Sequence, residues 1–412
     1  MSINKNKIFN DPVYGFITLP NDLIFDIIEH PWFQRLRRIR QLGLTHMVYP
    51  GALHTRFHHA LGALHLMTEA IKSIKSKGHE ITNEEEFGAY IAILLHDIGH
   101  GPFSHALENS IVTGISHETL SILMIEELNK EFDGKLSIGI EILKNNYKKK
   151  FLHQLVSSQL DMDRLDYLNR DCFYTGVMEG TIGSQRIIKM LNVFNDELVV
   201  DEKGLYSIEK FIISRRLMYW QVYLHKTVLS AENMLVNILK RAKELFQNDV
   251  ELFTTPALSY FLDNNISPEN LKSKEEFLNV FSQLDDYDIY GAIKVWCNHS
   301  DIVLSRLSKG MINRKLYKIS LQLENFDSSS LDVFNSRIEN QWSIKKEDYH
   351  YFVFAGKISN RDYNPQGEPI KILMRNQDKI TLLGDDENMD VAMLSTPVNK
   401  YFLCYLPELA SD

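Results

Sequence analysis

Residues 89–105 (AYIAILLHDIGHGPFSH) constrain the fold more than any other stretch, because an apolar run ends abruptly in an imidazole and a carboxylate. The run through Leu95 is typical of a buried helix segment, and His96 and Asp97 follow it directly. Burying both groups costs on the order of several kcal/mol unless a partner compensates them. A divalent metal ion would do so, since neutral histidine and ionised aspartate are both good ligands. A hydrogen-bonded pair in the core is the simpler alternative.

The residues that follow favour the metal. Two glycines and a proline end the helix, and His100 and His105 come shortly after it. So many polar groups beside a helix end predict a site rather than a surface.

Composition limits the class of protein. The 412 residues are 44% hydrophobic and 24% charged, as in ordinary globular proteins. The net charge of −9 provides no basic field for duplex DNA or an anionic membrane. The three cysteines lie far apart and form no paired motif, which suits a reducing cytoplasm. We therefore expect a cytoplasmic protein. No membrane partner is expected, since no run spans a bilayer and no signal peptide begins the chain. Nucleic-acid binding stays open but is not indicated.

The N-terminal part predicts an extended arm over residues 1–20 and then helices. A helix begins near Leu23, and Pro31 interrupts or restarts it. Residues 32–44 (WFQRLRRIRQLGL) continue with helical spacing and a basic face. That face consists of Arg35, Arg37, Arg38 and Arg40. A solvated charged face is the simpler interpretation, and an anion site is the alternative, because guanidinium groups suit phosphate.

Histidines and acids recur beyond this segment. Arg56 and His59 are three residues apart and so share a helical face. The neighbouring histidines 54, 58 and 65 are expected to be bystanders. A resumed helix would bring Glu108 beside His105, where a carboxylate orients an imidazole and raises its basicity. Ser116 predicts the N-cap of a helix that begins at His117.

A second informative segment is 157–172 (SSQLDMDRLDYLNRDC). It places Asp163, Tyr167 and either Arg170 or Asp171 along one helical face. Its aspartates cannot all point inward, so at least two are expected to face water or salt-bridge partners.

The rest of the chain predicts the fold class. Residues 194–206 predict a hairpin with its turn near 202–204, and a long helix follows over about 208–246. Along that helix Arg215, Tyr219, Tyr223 and Lys226 form a stripe. The stripe is either a half-buried core face or a wall that holds a sugar and phosphates. The segments after residue 315 are rich in β-forming residues.

We therefore predict a mainly α protein: a helical core over residues 1–310, with the metal site within 50–230, and a small α+β lobe over 311–412.

The candidate ligands come from three separated segments and are His59, His96, Asp97 and Asp163. Two nitrogens and two carboxylates leave room for water, whereas closed structural zinc sites prefer cysteine and histidine. A catalytic site for Mn, Fe, Mg or Zn is expected. The groups available for proton transfer are His100, His105, Glu108 and His117. This set suits hydrolysis of a phosphoester.

The motifs RFHH (56–59), HDIGHGPFSH (96–105) and DMDRLDYLNRDC (161–172) together resemble the HD-domain phosphohydrolase superfamily, and within it the deoxynucleoside triphosphate (dNTP) triphosphohydrolases. The similarity starts at residues 11–17 (DPVYGFI). It implies metal-dependent hydrolysis of a dNTP at the α-phosphorus, giving deoxynucleoside and inorganic triphosphate.

Carried over by position, the resemblance implies the same metal ligands and a substrate site. That site comprises Gln41, Leu42, Arg56, Arg164, Tyr167, Asp171, Arg215, Tyr223 and Lys226. Tyr167 and Asp171 would leave little room for a 2′-hydroxyl. The histidines 100, 105 and 117 match positions near the α-phosphate, and Glu108 stands where some members have Asp.

The resemblance also implies a homo-oligomer, a dimer or tetramer, and activation by a second nucleotide. Glu29, Gln34 and Arg37 fall on the activator positions. Glu29 replaces an Asp there, and the lysine-bearing arm before the domain is shortened.

Two other functions stay open: hydrolysis of a different nucleotide phosphate ester, and nucleotide sensing or single-stranded nucleic-acid binding without turnover.

Overall fold

The computed structural model describes residues 7–108, 110, 112, 114–266, 273–360, 368–375, 379–383 and 398–410. Within them the protein is mainly helical with small sheets, which confirms the predicted fold class. The helices are α1 (Asp22–Glu29), α2 (Pro31–Gln34), α3 (Arg56–Ser76), α4 (Asn83–Leu95), α5 (Ser104–Glu108), α6 (His117–Glu131), α7 (Ser137–Leu143), α8 (Lys150–Gln154), α9 (Met162–Thr175), α10 (Ser184–Met190), α11 (Leu205–Met218), α12 (Lys226–Gln247), α13 (Pro256–Asp263), α14 (Lys274–Phe281), α15 (Asp286–Trp296), α16 (Ile302–Ile312) and α17 (Ser328–Gln341). The strands are β1 (Ile8–Asp11), β2 (Gly15–Thr18), β3 (Leu191–Phe194), β4 (Glu197–Asp201), β5 (Lys318–Gln322), β6 (Val353–Asn360), β7 (Lys371–Leu373), β8 (Ile380–Leu382) and β9 (Val398–Tyr405).

Helix α3 packs against both α4 and α9, and these three helices carry the predicted ligands. Each begins with a local capping signal. Thr82 caps α4 in a reciprocal arrangement with Glu85. Asp161 caps α9 by accepting a hydrogen bond from the backbone N–H of Arg164 at 2.7 Å. Helix α9 ends at Gly176, whose φ of +74° suits glycine.

The contact between α3 and α9 requires a glycine at position 62. A Cβ there would lie 2.0 Å from Oδ1 of Asp166 and 2.1 Å from Nη2 of Arg170. No side-chain carbon can occupy that space, so Gly62 lets an ion pair of α9 approach the backbone of α3.

Arg35 departs from the solvated face predicted for the basic segment, because it is fully buried, whereas Arg37 and Arg38 are exposed as predicted. Its guanidinium donates to the carbonyls of Ile98 and His100 at 2.9 and 2.8 Å. It also donates to those of Phe281 and Leu284 at 3.4 and 3.0 Å. Burial lowers the pKa of Arg35 to about 9, although Asp285 opposes the shift. Arg35 thus fastens the loop after α4 to the end of α14.

The predicted long helix over 208–246 is wrong as a single element. Helix α11 ends at Met218, a π-helical turn follows over Tyr219–Tyr223, and α12 begins at Lys226. The backbone of His225 is extended (ψ of 131°), and its side chain accepts a hydrogen bond from the N–H of Thr227. This cap starts a new helix and interrupts the aromatic stripe.

The predicted hairpin exists, but its turn is misplaced. Strands β3 and β4 are joined by Asn195 and Asp196, both left-handed with φ of 49° and 65°. Two such residues form the turn whose twist fits a hairpin. Residues 202–204 form a short 3₁₀ helix instead.

The β-rich segments near the C-terminus form strands, as predicted. Strands β5, β9 and β6 make an antiparallel sheet beside α17. Strands β7 and β8 extend the β3–β4 hairpin, with β7 parallel to β4. This second sheet joins the two predicted units, and a boundary at residues 310–311 stays a prediction. None of the described helices is long and apolar enough to cross a bilayer.

We predict that Arg35→Leu lowers the free energy of unfolding by at least about 3 kcal/mol, because it leaves buried carbonyls without donors. Urea unfolding would measure the change. Arg38→Gln is the matched control in the same segment: its ion pair with Asp285 is 44% exposed on the arginine side, so the loss should stay below about 1 kcal/mol. Equal losses in the two variants would contradict this account.

Candidate metal centre and adjoining cavity

Ligand atoms of His59, His96 and Asp163 lie within 4.8 Å of one another. Helix α3 supplies His59, the end of α4 supplies His96, and the first turn of α9 supplies Asp163. Oδ1 of Asp163 lies 3.2 Å from Nε2 of His59 and 3.6 Å from Nε2 of His96. The structure therefore brings the three predicted segments to one point.

In each imidazole, Nδ1 forms a hydrogen bond with another group of the protein. Nδ1 of His59 donates to Asp166 at 2.8 Å, and Nδ1 of His96 donates to the carbonyl of Ile93 at 2.6 Å. Both Nε2 atoms are buried and lack a hydrogen-bond partner among the described residues. Two imidazoles fixed from behind, with free nitrogens facing a carboxylate, fit a divalent cation.

The fourth predicted ligand, Asp97, is more heavily engaged. Its Oδ1 lies 3.3 Å from Nε2 of His96 and 3.2 Å from Nε2 of His100. Its Oδ2 accepts a hydrogen bond from Nη1 of Arg56 at 2.6 Å and lies 3.8 Å from Nε2 of His59. Although burial alone would raise the pKa of Asp97, these cationic neighbours hold it well below its ordinary value. Asp97 is thus an ionised carboxylate between the ligands and Arg56.

The charge environment also favours a cation. Burial disfavours protonation of His59, but Asp163 and Asp166 outweigh it and raise the pKa of His59 to about 10. The same imidazoles lower the pKa of Asp163 against the effect of burial. Carboxylates around buried imidazoles attract positive charge, which a divalent ion can supply in place of protons.

A second imidazole pair lies beside the ligands. The rings of His100 and His117 stack with centroids 3.9 Å apart. Burial and Arg56 lower the pKa of His100 to about 3. Burial also disfavours the cation of His117, but a 3.1 Å hydrogen bond to Glu108 and the nearby Glu118 raise its pKa. The pair therefore combines a neutral imidazole with a readily protonated one.

The predicted partnership of Glu108 with His105 stays a prediction. Glu108, the last residue of α5, contacts His117. The side chain of His105, on the same helix, lies outside the described residues. The predicted N-cap is confirmed, since Ser116 accepts a hydrogen bond from the N–H of Thr119.

A buried chain of charges supports His59 from α9. Asp166 accepts a hydrogen bond from Nδ1 of His59 and two more, both of 3.0 Å, from Arg170. Arg170 in turn donates to Asp11 of the β1–β2 hairpin at 2.8 Å. These side chains are at most 4% exposed. The N-terminal hairpin thereby anchors a histidine of the candidate centre.

The prediction that at least two aspartates of residues 157–172 face water or salt-bridge partners is confirmed by two salt bridges. Asp166 pairs with Arg170, and Asp161 pairs with Arg164 at 3.0 Å. Asp171 is also buried and is bonded to His54 at 2.7 Å and to the hydroxyl of Tyr223 at 2.8 Å.

A cavity of about 280 Å³ adjoins the centre through Arg56. Among the predicted substrate residues, Gln41, Leu42, Arg56 and Tyr223 line it. The ring of Tyr167 meets that of Tyr223 edge-on at 6.1 Å, which places Tyr167 and Asp171 behind the cavity wall.

Three predicted substrate residues do not line the cavity. Arg164 lies 3.8 Å from Asp163 and so borders the candidate centre. Arg215 donates to Gln159 and faces the ring of Tyr219. Lys226, the first residue of α12, is exposed.

The predicted activator residues cluster on the surface. Nε of Arg37 donates to Gln34 at 2.8 Å, and its guanidinium stacks 3.6 Å over the ring of Phe57. Glu29 acts electrostatically on Arg37. Binding of a nucleotide there stays a prediction.

Sequence reasoning missed several residues that the site uses. His54, expected to be a bystander, bonds Asp171, and Asp11 belongs to the charge chain behind His59. Their partners lie more than 100 residues away in sequence, so only the resemblance at residues 11–17 hinted at one of them. Glu232, which lines the cavity from α12, carried no signal.

Comparisons with known proteins agree with this arrangement. The HD domain family matches residues 56–171, and the HD associated region matches residues 182–267. The crystal structure of a phosphohydrolase from Bacteroides thetaiotaomicron is 52% identical, with a TM-score of 0.94 over 97% of this chain and 99% of that one. The uncharacterized protein YwfO of Bacillus subtilis is 36% identical over 77% of this chain and 72% of its own length. A Dictyostelium discoideum protein named deoxynucleoside triphosphate triphosphohydrolase SAMHD1 homolog is 27% identical over 92% of this chain and 79% of its own length.

We predict that Asp166→Asn weakens divalent-metal binding by roughly 10- to 100-fold, because the residue that orients His59 loses its charge. Metal content after dialysis against buffered Mn²⁺ would measure the change. Asp332→Asn, an exposed aspartate on α17, is the matched control and should bind metal like the unaltered protein. Unchanged affinity in a folded Asp166→Asn variant would show that the charge chain does not support the centre.

Proposed function

This chain belongs to the HD-domain phosphohydrolase superfamily, and on that premise we propose that it hydrolyses dNTPs to deoxynucleoside and inorganic triphosphate. The observation that carries the proposal is the meeting of His59, His96 and Asp163 beside a cavity lined by Arg56 and Tyr223. Arg56 both contacts Asp97 and lines the cavity, so one ligand could place its phosphates at the centre and its sugar and base in the cavity.

The relatives support this choice of substrate. The Dictyostelium protein carries the name of a dNTP triphosphohydrolase and aligns with nearly the whole chain. A chicken protein of the same name is 30% identical, although this chain spans only 46% of its length. The activity, the nucleotide activation and the oligomeric state of this chain are accordingly proposals, and its location in the cytoplasm stays a prediction.

The ligands in this proposal are His59, His96 and Asp163, with Asp97 between them and Arg56. A divalent ion held there, whether Mn, Fe, Mg or Zn, would lower the pKa of water and neutralise phosphate charge. Arg56 remains beside the ion and is directed by Asp97, so it can hold a phosphate oxygen. Arg164 lies at the opposite edge of the same centre and can hold another.

The sugar would meet the aromatic wall of the cavity. Tyr223 donates its hydroxyl proton to Asp171, which His54 holds from the other side. The ring of the fixed Tyr223 meets that of Tyr167 edge-on, and the two rings would leave little room for a 2′-hydroxyl. Ribonucleotides should therefore bind less well than deoxyribonucleotides.

In the proposed hydrolysis, water attacks the α-phosphorus and loses a proton, so a new P–O bond forms as the bond to the 5′ oxygen breaks. The 5′ oxygen leaves as an alkoxide, which takes up a proton. His117 can supply it, because Glu108 stabilises its protonated form. The neutral His100 stacks on His117 and contacts Asp97, so it links the proton donor to the metal centre.

The direct test incubates the protein with each dNTP, singly and in mixtures, with Mn²⁺ or Mg²⁺. Anion-exchange chromatography should show triphosphate and deoxynucleoside appearing together. Asp97→Asn should lose at least about 100-fold in rate, because it removes a charge beside the metal. Asp263→Asn, exposed on α13, is the matched control and should keep full activity.

Other products would contradict the proposal in different ways. Orthophosphate or pyrophosphate would indicate an HD phosphohydrolase for a different ester. Nucleotide binding without any product would indicate a sensor.

The proton donor gives a pH prediction. The raised pKa of His117 keeps it protonated above pH 6.5, so the rate should fall as the pH rises through that pKa. Glu108→Gln removes the stabilising charge and should move this alkaline limb to lower pH by about one unit. Glu118→Gln should move it less, because that carboxylate is 68% exposed. An alkaline limb that is identical in Glu108→Gln and the unaltered protein would exclude His117 as the donor.

A further inference from the structure

Glu232 is a carboxylate that the proposed reaction does not use. It lies on α12, lines the cavity with Gln41 and Leu42, and is half-buried. Its carboxylate accepts no hydrogen bond and forms no ion pair within the described residues. Burial alone raises the pKa of Glu232 to about 7, since no cation lies close enough to lower it.

The other acids around the site are all partnered. Asp97 is paired with Arg56, Asp161 with Arg164, and Asp166 with Arg170. Glu232 differs from them because its carboxylate faces the cavity without a protein partner among the described residues, and a ligand in the cavity can supply the donors.

The position of Glu232 in the cavity indicates which part of a ligand it meets. Arg56 marks the metal side, because it contacts Asp97 at 2.6 Å. Glu232 lines the same cavity but forms no ion pair with Arg56 within the described residues, and its negative charge would repel phosphates. The part of a nucleotide that Glu232 can meet is therefore the one without phosphates. A nucleotide whose α-phosphate is at the metal centre extends its base away from that centre.

We propose that Glu232 reads the base of the bound nucleotide and favours guanine. This rests on the proposed nucleotide substrate. A carboxylate offers two oxygens, both acceptors. Guanine presents two neighbouring donors, N1–H and the 2-amino group, which match both oxygens at once.

The other bases match a carboxylate less well. Adenine and cytosine each present one amino group beside a ring nitrogen whose lone pair repels a carboxylate oxygen. Thymine presents one N–H between two carbonyl oxygens. The amide of Gln41, in the same cavity, can donate to a base carbonyl and accept from an amino group, so it discriminates less.

The test compares kcat/KM for the four dNTPs in the unaltered protein and in Glu232→Gln. We expect dGTP to be preferred by roughly 10- to 100-fold and the preference to disappear in the variant, because one charged acceptor is lost. Glu244→Gln is the matched control. It makes the same change on the same helix, at a side chain that is 50% exposed and outside the cavity, and should keep the preference. Melting temperatures would verify that both variants are folded.

A binding measurement separates this proposal from the proposed function. Isothermal titration uses analogues of the four dNTPs in which a methylene group replaces the 5′ oxygen. They report base preference without turnover, because they lack the bond that the proposed reaction breaks. If no dNTP releases triphosphate, the proposed function fails, and the analogues still decide the role of Glu232. Equal kcat/KM values and affinities for the four bases, preference for a base other than guanine, or a guanine preference that survives in Glu232→Gln would each overturn the role of Glu232.

Discussion

The structure depends on two imidazoles and two carboxylates that lie close together at one buried point, where three helices meet. Each group is costly to bury alone, and together they favour positive charge in addition to that of Arg56. The nitrogens that face away are fixed by Asp166 and by the carbonyl of Ile93. The nitrogens that face inward lack hydrogen-bond partners within the described residues. Helix positions, capping residues and Gly62 all serve to make this convergence possible.

Charge compensation extends outward from that point in two directions. On one side, Asp166, Arg170 and Asp11 form a buried sequence of alternating charges that reaches the N-terminal hairpin. On the other, Arg35 uses backbone carbonyls in place of a carboxylate and fixes the loop that carries His100. The first arrangement orients His59, and the second holds the loop that carries His100, a residue proposed to assist proton transfer. Segments far apart in sequence therefore fix the side chains of one small region, the candidate metal centre.

Much of this could be predicted from the sequence, and the exceptions have a common cause. His96 and Asp97 could be predicted as site residues from a local pattern, because an apolar helix that ends in two polar groups favours a site. Strands near the C-terminus follow from local composition in the same way. Arg35 could not be assigned, because one of its carbonyl partners is 246 residues away. The break in the helix after Met218 depends on the cap at His225, and the pattern of apolar residues on either side conceals it. Glu232 carries no local signal, because its proposed role depends on its place in the cavity and on having no hydrogen-bond partner among the residues that the structure describes.

The convergence of the ligands on one ion is the claim on which the reaction, the cavity and the role of each neighbouring residue depend. Anomalous diffraction from crystals grown with Mn²⁺, recorded on both sides of its absorption edge, tests it most directly. The account predicts one strong peak within coordination distance of Nε2 of His59, Nε2 of His96 and a carboxylate oxygen of Asp163. A fully occupied peak elsewhere, or side chains in this arrangement with no peak between them at saturating Mn²⁺, would contradict it.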